Sequence, residues 1–311
     1  MNILVFGASG KQGTSLLESL LSHDNFSTVG KVRCFCRHSN DQLQDVVSRS
    51  NNKFEVFEGN IANHENVRHA LQDMDTVCLI QNPKEYADNV TEGASLEFEY
   101  GKRVIDQAIS SNVQNFVLTS WAACCSAKEV PHFQSKGGLE SYLRDNGKCN
   151  KSIVRPTWFM ENLLFEEELS QPLRSQKKLC LPLSPNVKLP MCSIRDCGRA
   201  EADCCLDPQK LSHHNGVIEI CSDIKTPQEM ARILGCSFEQ TSWNQFSDEA
   251  FQKMYQYLAS EPIKPDQEFC KSCWSNMMTF ENFASQTGLQ QEKRGERIEG
   301  QTERGAGVSR T

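Results

Sequence analysis

A seven-residue turn near the start, Gly7-Ala8-Ser9-Gly10-Lys11-Gln12-Gly13, constrains this chain more than any other stretch. It follows Asn2–Phe6 (NILVF), an almost continuous apolar run of the kind buried on both faces of a parallel sheet. After it, Thr14–Ser22 predicts a helix with Leu16, Leu17, Leu20 and Leu21 on one side. Strand, glycine turn and helix form the context in which a glycine fingerprint marks a dinucleotide site. Gly7 permits the sharp turn, Gly10 lets backbone N–H groups approach a pyrophosphate, and Gly13 lets helix and strand pack closely. The helix N-terminus adds unpaired N–H groups and partial positive charge. Without a ligand, the same residues would make only a tight strand-to-helix turn.

Short apolar strands alternate with helices over residues 1–156. Val32–Cys36, Phe54–Phe57, Thr76–Ile80, Gln114–Ser120 and Ser152–Arg155 read as strands, and Asn63–Met74, about Ser95–Ser111 and Lys136–Arg144 as helices. The fold class is therefore α/β, a Rossmann-type doubly wound parallel sheet. Ligands of such sheets gather at the carboxyl ends of the strands. Gly59-Asn60 follows the third strand, and Gln81-Asn82-Pro83 ends the fourth. After the second strand an NAD site would place an acidic residue on the ribose 2′-hydroxyl, but this chain offers Arg37. A permanently charged, planar guanidinium there favours a 2′-phosphate, so the expected cofactor is NADP(H). Otherwise Arg37 simply ends a strand on a solvated edge.

From about residue 157 the pattern changes to proline-punctuated chain (Pro172, Pro182, Pro185, Pro190). Helix starts follow at Ser193 and Thr226, with a strand over Gly216–Ile220. Residues 242–284 are helical in pattern and rich in aromatics. We expect a smaller, mostly helical C-terminal α/β domain over 157–285, with segments returning to the Rossmann core. Its aromatics either roof the cofactor edge or are ordinary core. Residues 286–311 have almost no apolar side chains and are expected to be a disordered tail.

The net charge of −7 argues against a nucleic-acid-binding surface. No apolar run approaches a membrane span and no basic-then-apolar leader precedes the first strand, so a soluble intracellular protein is expected. The 15 cysteines, odd in number and partly inside strands, suit a reducing compartment better than a disulfide framework. Cys270 and Cys273 form a lone CxxC, and no metal site is expected there. The vicinal pairs Cys124-Cys125 and Cys204-Cys205 read as structural or incidental. The alternative for Cys124 and Cys125 is redox activity near a nicotinamide, with nothing to show a cation approaching either thiol. Lys128 is the only cation near them in sequence.

Taken together, Gly7–Gly13 with its GxxGxxG spacing, Arg37, Glu58-Gly59-Asn60, His132-Phe133-Gln134-Ser135-Lys136, Val154-Arg155-Pro156 running into Phe159-Met160-Glu161-Asn162, and Leu189–Asp196 resemble the NmrA-like family of atypical short-chain dehydrogenases. The resemblance covers roughly residues 1–284. It implies that Gly7, Ala8, Ser9, Gly10, Lys11, Gln12, Gly13 and Arg37 hold NADP(H), with Gly59, Asn60 and Gln81, Asn82, Pro83 at the strand ends. Lys136 and the segment Trp158, Phe159, Met160, Glu161 then fall at the nicotinamide. Asn60 departs from the more usual Asp.

One residue is missing. Short-chain dehydrogenases place a tyrosine four residues before the lysine, where the ammonium lowers the phenol pKa. Here that position is His132. Either His132 exchanges a proton near neutral pH, or it is a packing residue and Lys136 only holds the ribose. The resemblance then implies an NADP(H)-binding redox sensor with little or no dehydrogenase activity. Such a sensor works in cytoplasm and nucleus, through protein partners or a homodimer. The alternative is an NADPH-dependent reductase of a carbonyl, quinone or enone that uses Lys136.

Overall fold

Seven short strands stand side by side, all parallel, because each carries apolar side chains on both faces. In the computed structural model, which describes residues 1–211, 214–261 and 263–289, these are β1 (Asn2–Phe6), β2 (Lys31–Cys36), β3 (Phe54–Glu58), β4 (Thr76–Leu79), β5 (Asn115–Thr119), β6 (Asn150–Pro156) and, much later in the chain, Val217–Ile220. From one edge the order is β3-β2-β1-β4-β5-β6, with Val217–Ile220 last. Strand order reverses between β1 and β4, and a crevice opens at the carboxyl ends there. The pairing is in register, with Val5 opposite Cys34 on one side and Cys78 on the other.

Period-two alternation divides the core. Ile3 and Val5 of β1 face one layer, Leu4 and Phe6 the other. The first helices are α1 (Lys11–Leu21), α2 (Asp41–Ser48), α3 (His64–Ala70), α4 (Val90–Ser110) and α5 (Pro131–Asn146). α1 starts three residues earlier than the leucine spacing suggested, because Gly10 itself is the N-cap. α5 starts five residues earlier than expected: Pro131 opens it, where a missing N–H costs nothing. His132 and Lys136 therefore lie one turn apart on a single helix.

The chain beyond β6 contributes to both the main sheet and a second layer. It runs through β7 (Trp158–Phe159), α6 (Asn162–Phe165), α7 (Glu167–Gln176), β8 (Lys178–Leu181), β9 (Leu189–Cys192) and α8 (Ile194–Leu206). α8 packs on α1 across one face of the sheet, with Gly198 against Ser15 and Leu16. Val217–Ile220, now β10, pairs with β6 as the seventh strand. Then come β11 (Asp223–Lys225), α9 (Pro227–Leu234), β12 (Ser237–Gln240), α10 (Glu249–Ser260), α11 (Gln267–Cys273) and α12 (Phe280–Gln286). β7, β9 and β11 form a small sheet, and β8 pairs with β12. A separate apolar cluster, with Trp158, Met191, Tyr255 and Phe280 fully or almost fully buried, fills this part. The tail assigned to 286–311 lies outside the described residues from 290 onward.

Among the described residues no helix is long and apolar enough to cross a membrane. All 15 cysteines are unpaired.

Candidate functional site

The chain leaves β1 at Gly7, whose φ of +76° lies in the left-handed region that favours glycine. A Cβ on Gly7 would sit 2.5 Å from the Ile80 carbonyl oxygen, and one on Gly13 would sit 2.1 Å from that of Gly7. Both positions are dictated by the close approach of turn, helix and β4. Gly10 differs: a Cβ there meets a single atom, at 3.3 Å, so its missing side chain leaves room in front of α1. Among the described residues no side chain caps α1, and its first turn holds no acid. Its N–H groups face a potential anion with nothing to neutralise them.

A cleft of about 780 Å³ opens on this turn. Gly7, Ser9, Gly10, Lys11, Gln12, Gly13 and Arg37 line it, with Gln81, Asn82, Pro83, His132, Lys136, Phe159 and Glu161. Phe246, Phe251, Met254 and Tyr255, from the chain around α10, add an apolar wall.

Five residues expected at the cofactor do not line the cleft. Ala8 is buried beneath the turn, its N–H donating to Phe35 O at 3.2 Å. Gly59 is pressed against the Phe35 ring, and the Asn60 Oδ1 accepts from Ala62 N–H at 2.9 Å, closing the next turn. Trp158 and Met160 are enclosed in the C-terminal core, with Trp158 Nε1 donating to Tyr255 Oη at 3.2 Å. β7 ends at Phe159 and a turn follows at Met160-Glu161, so that Phe159, Glu161 and Asn162 line the cleft while Trp158 and Met160 are turned into the core.

Arg37 is not free. Its Nη1 donates to the Glu85 carbonyl at 2.9 Å and its Nη2 pairs with the Glu85 carboxylate. The next residue back, Lys84, pairs with Glu166 at 2.8 Å, and its ammonium lies 4.4 Å from the Phe251 ring centre. The 83–86 turn is thus fastened to β2 on one side and to the C-terminal layer on the other.

At the inner end, Lys136 is only 7% exposed. Its Nζ pairs with Glu97 at 2.8 Å and donates to the Gln81 carbonyl at 2.9 Å, which leaves one of its three N–H donors for a ligand. Burial pushes the Glu97 carboxyl up, against the pull of Lys136. Burial and the Lys136 charge hold the His132 imidazole down at about 3, so it stays neutral at physiological pH. That removes the proton exchange near neutrality considered for His132. Glu161 accepts from Ile194 N–H at 3.0 Å, and burial pushes its carboxyl up to about 7. Four buried polar atoms along the cleft find no partner among the described residues: Gln81 Oε1, Trp121 Nε1, His132 Nδ1 and Glu161 Oε2.

The sequence reading missed Glu97 and Glu201, which lie behind Lys136 and Gln12. Glu201, on α8 and fully buried, accepts from Gln12 Nε2 and Thr119 Oγ1, both at 2.5 Å, and burial pushes it up to about 7. Two carboxylates on helices distant in sequence carry no local signal. Trp121 was also missed, although it lies two residues past the end of β5, where ligands are expected.

The model of the NmrA-like family matches residues 1–273. The chain belongs to the NmrA-like family. Its relatives include the NmrA-like family domain-containing oxidoreductase ptmS of Penicillium ochrochloron, 30% identical over 53% of this chain and 49% of that protein. An NmrA-like family domain-containing protein of Dictyostelium discoideum is 23% identical over 75% and 76% of the two chains. This NmrA-like chain therefore spans about half the length of the Penicillium protein. Among solved structures, the NADPH-dependent quinone oxidoreductase of Escherichia coli superposes with a TM-score of 0.71 at 16% identity, covering 93% of this chain and 100% of that one. NmrA, a negative transcriptional regulator solved in complex with NADP, superposes with a TM-score of 0.67 at 15% identity, covering 91% and 94%. At these identities the likeness establishes the Rossmann-like fold. An oxidoreductase and a transcriptional regulator share it.

Proposed function

We propose that this NmrA-like protein binds NADP(H) and works as a nucleotide-responsive sensor. The observation that carries the reading is the engagement of Arg37 by Glu85. The cleft suits the nucleotide: an open space at Gly10, an uncapped helix N-terminus for the pyrophosphate, a guanidinium for the 2′-phosphate, and Lys136 with one donor for the nicotinamide ribose. A 2′-phosphate on Arg37 would replace the Glu85 carboxylate. Release of Glu85 loosens the 83–86 turn, which Lys84 and Glu166 connect to the C-terminal layer. Occupancy of one end of the cleft is thereby coupled to a surface that another protein, or a second copy, could read. We place this activity in the cytoplasm and nucleus, as the family resemblance implies.

The test is hydrogen exchange of residues 81–90 with NADP⁺, NADPH, NAD⁺ and no nucleotide. Deprotection by the two phosphorylated forms, to different extents, supports the sensor. Identical exchange in all four states would sink it.

A second reading is favoured by the apolar wall and by Glu161. NADPH would supply a hydride when bound, and the Glu161 carboxyl, partly protonated at neutral pH, would give the balancing proton to a quinone, enone or carbonyl. Lys136, fixed by Glu97, would orient the ribose. NADPH consumption against a panel of such compounds decides this reading; no turnover with any of them counts against it.

A further inference from the structure

Behind the cleft wall, the loop between β5 and α5 brings two sulfurs together. Ala123 adopts a φ of +65°, and the turn that it makes sets Cys124 Sγ 3.7 Å from Cys125 Sγ. Cys125 is the only cysteine among the described residues that is exposed. Lys128 was the sole cation near these thiols in sequence, but the fold supplies another. Arg155, on β6, points Nη2 at Cys125 Sγ from 3.1 Å. Fully buried Glu140 holds that guanidinium in place, its two oxygens accepting from Nε at 2.8 Å and Nη2 at 2.6 Å. Burial alone would raise the Glu140 carboxyl, but the bonds and charge of Arg155 outweigh it and hold the carboxyl below its usual range.

We propose that Cys125 and Cys124 are a modification site for hydroperoxides. The Cys125 thiolate attacks the O–O bond, which breaks, leaving a Cys125 sulfenic acid and releasing the alcohol or water. The Cys124 thiol then condenses with the sulfenic acid to a disulfide, and the second oxygen leaves as water. Two electrons, one from each sulfur, reduce the peroxide, and the two thiol protons leave in the two products.

The two thiols sit in dissimilar surroundings. Cys125 is open to solvent, with Arg155 Nη2 at 3.1 Å from its sulfur and Glu140 Oε2 at 3.8 Å. Cys124 is buried, with Sγ 3.1 Å from Glu140 Oε1. Burial and the Glu140 charge push its thiol up. Cys124, Cys125 and Glu140 are also close enough to share a metal ion. However, both Glu140 oxygens already accept from Arg155, so a metal cation would face a guanidinium.

The full chain, in native buffer, is exposed to hydrogen peroxide, alkylated, digested and analysed by mass spectrometry. The peptide carrying both thiols is expected to become two hydrogens lighter, reversibly with dithiothreitol, before the half-buried Cys149, Cys236 or Cys273 reacts. Cys124→Ser should stop at a Cys125 sulfenic acid that dimedone traps. Arg155→Met should slow the reaction on the order of tenfold. Arg155→Lys, which keeps the charge and guards against a folding defect, should retain the reaction. The proposal is overturned if Cys125 reacts no faster than the three half-buried cysteines, if Cys124→Ser yields no dimedone adduct, or if a folded Arg155→Met reacts like the parent.

Discussion

Arg37 and Glu85 are 48 residues apart in sequence, yet the Arg37 guanidinium is bound by both the carbonyl and the carboxylate of Glu85. The side chain best suited to a 2′-phosphate already holds an internal anion. Under the proposed reading, phosphate binding would be an exchange of partners at this residue.

Glu85→Gln should therefore tighten NADP(H) binding. The pair is half-exposed, so the gain is modest, about two- to fivefold for an interaction of ~0.4–1 kcal/mol. Arg37→Glu should remove most of the preference for NADPH over NADH, a loss of roughly 1.5–3 kcal/mol for a charge-assisted contact. Calorimetric titration of the four nucleotides checks both. Equal NADPH and NADH affinity in the parent protein would refute the role given to Arg37.

The glycines of the turn should separate by stability. Gly13→Ala forces a Cβ to 2.1 Å from a carbonyl oxygen and should cost at least about 2–3 kcal/mol. Gly10→Ala meets one atom at 3.3 Å and should leave stability nearly unchanged while weakening nucleotide binding. Urea unfolding beside nucleotide titration distinguishes the two effects.

Lys136→Ala strands Glu97 without its partner in a buried site. The expected cost is about 3–5 kcal/mol, enough to mimic a catalytic defect. Lys136→Met combined with Glu97→Gln should restore most of that stability. A reductase activity that stays absent in the stable double variant would belong to Lys136 itself, and unfolding curves must accompany every activity measurement on this pair.

Stability should fall as pH rises through neutrality. Burial raises the Glu201 carboxyl from 4.5 to about 7, and Glu161 behaves alike. A carboxyl whose folded pKa lies above its unfolded value stabilises the fold fully below the unfolded value. That contribution disappears as pH climbs to the folded value. The window is thus about pH 4.5 to 7. Glu201→Gln keeps an acceptor for Gln12 and Thr119, and should be the more stable form at pH 8 by on the order of 3 kcal/mol. At pH 4 that advantage should vanish. Thermal unfolding across this range is the measurement.

The β-strands of the Rossmann half were legible because each is a short apolar run bounded by turn residues, a signal confined to a few neighbours. The starts of α4 and α5 were less so: Asn89 and Pro131 set them, five residues before the apolar periodicity begins. Within the segment 158–161, contiguity in sequence suggested a shared role, but the short strand and the turn after it send Trp158 and Met160 into the core and leave Phe159 and Glu161 at the cleft. β10 was visible as a strand, but nothing local could say that it joins β6.

What the sequence by itself determined is the glycine turn, the alternation that dictates a doubly wound sheet, the arginine after β2 and the missing tyrosine. Each depends on residue type and short-range spacing. Only the tertiary structure decided that Glu85 occupies Arg37, that Glu97 fixes Lys136, that His132 is neutral, and that Arg155 stands over Cys125. These are electrostatic relations between groups distant in the chain. Their strength comes from burial and separations of a few ångströms, and both exist only once the chain is folded.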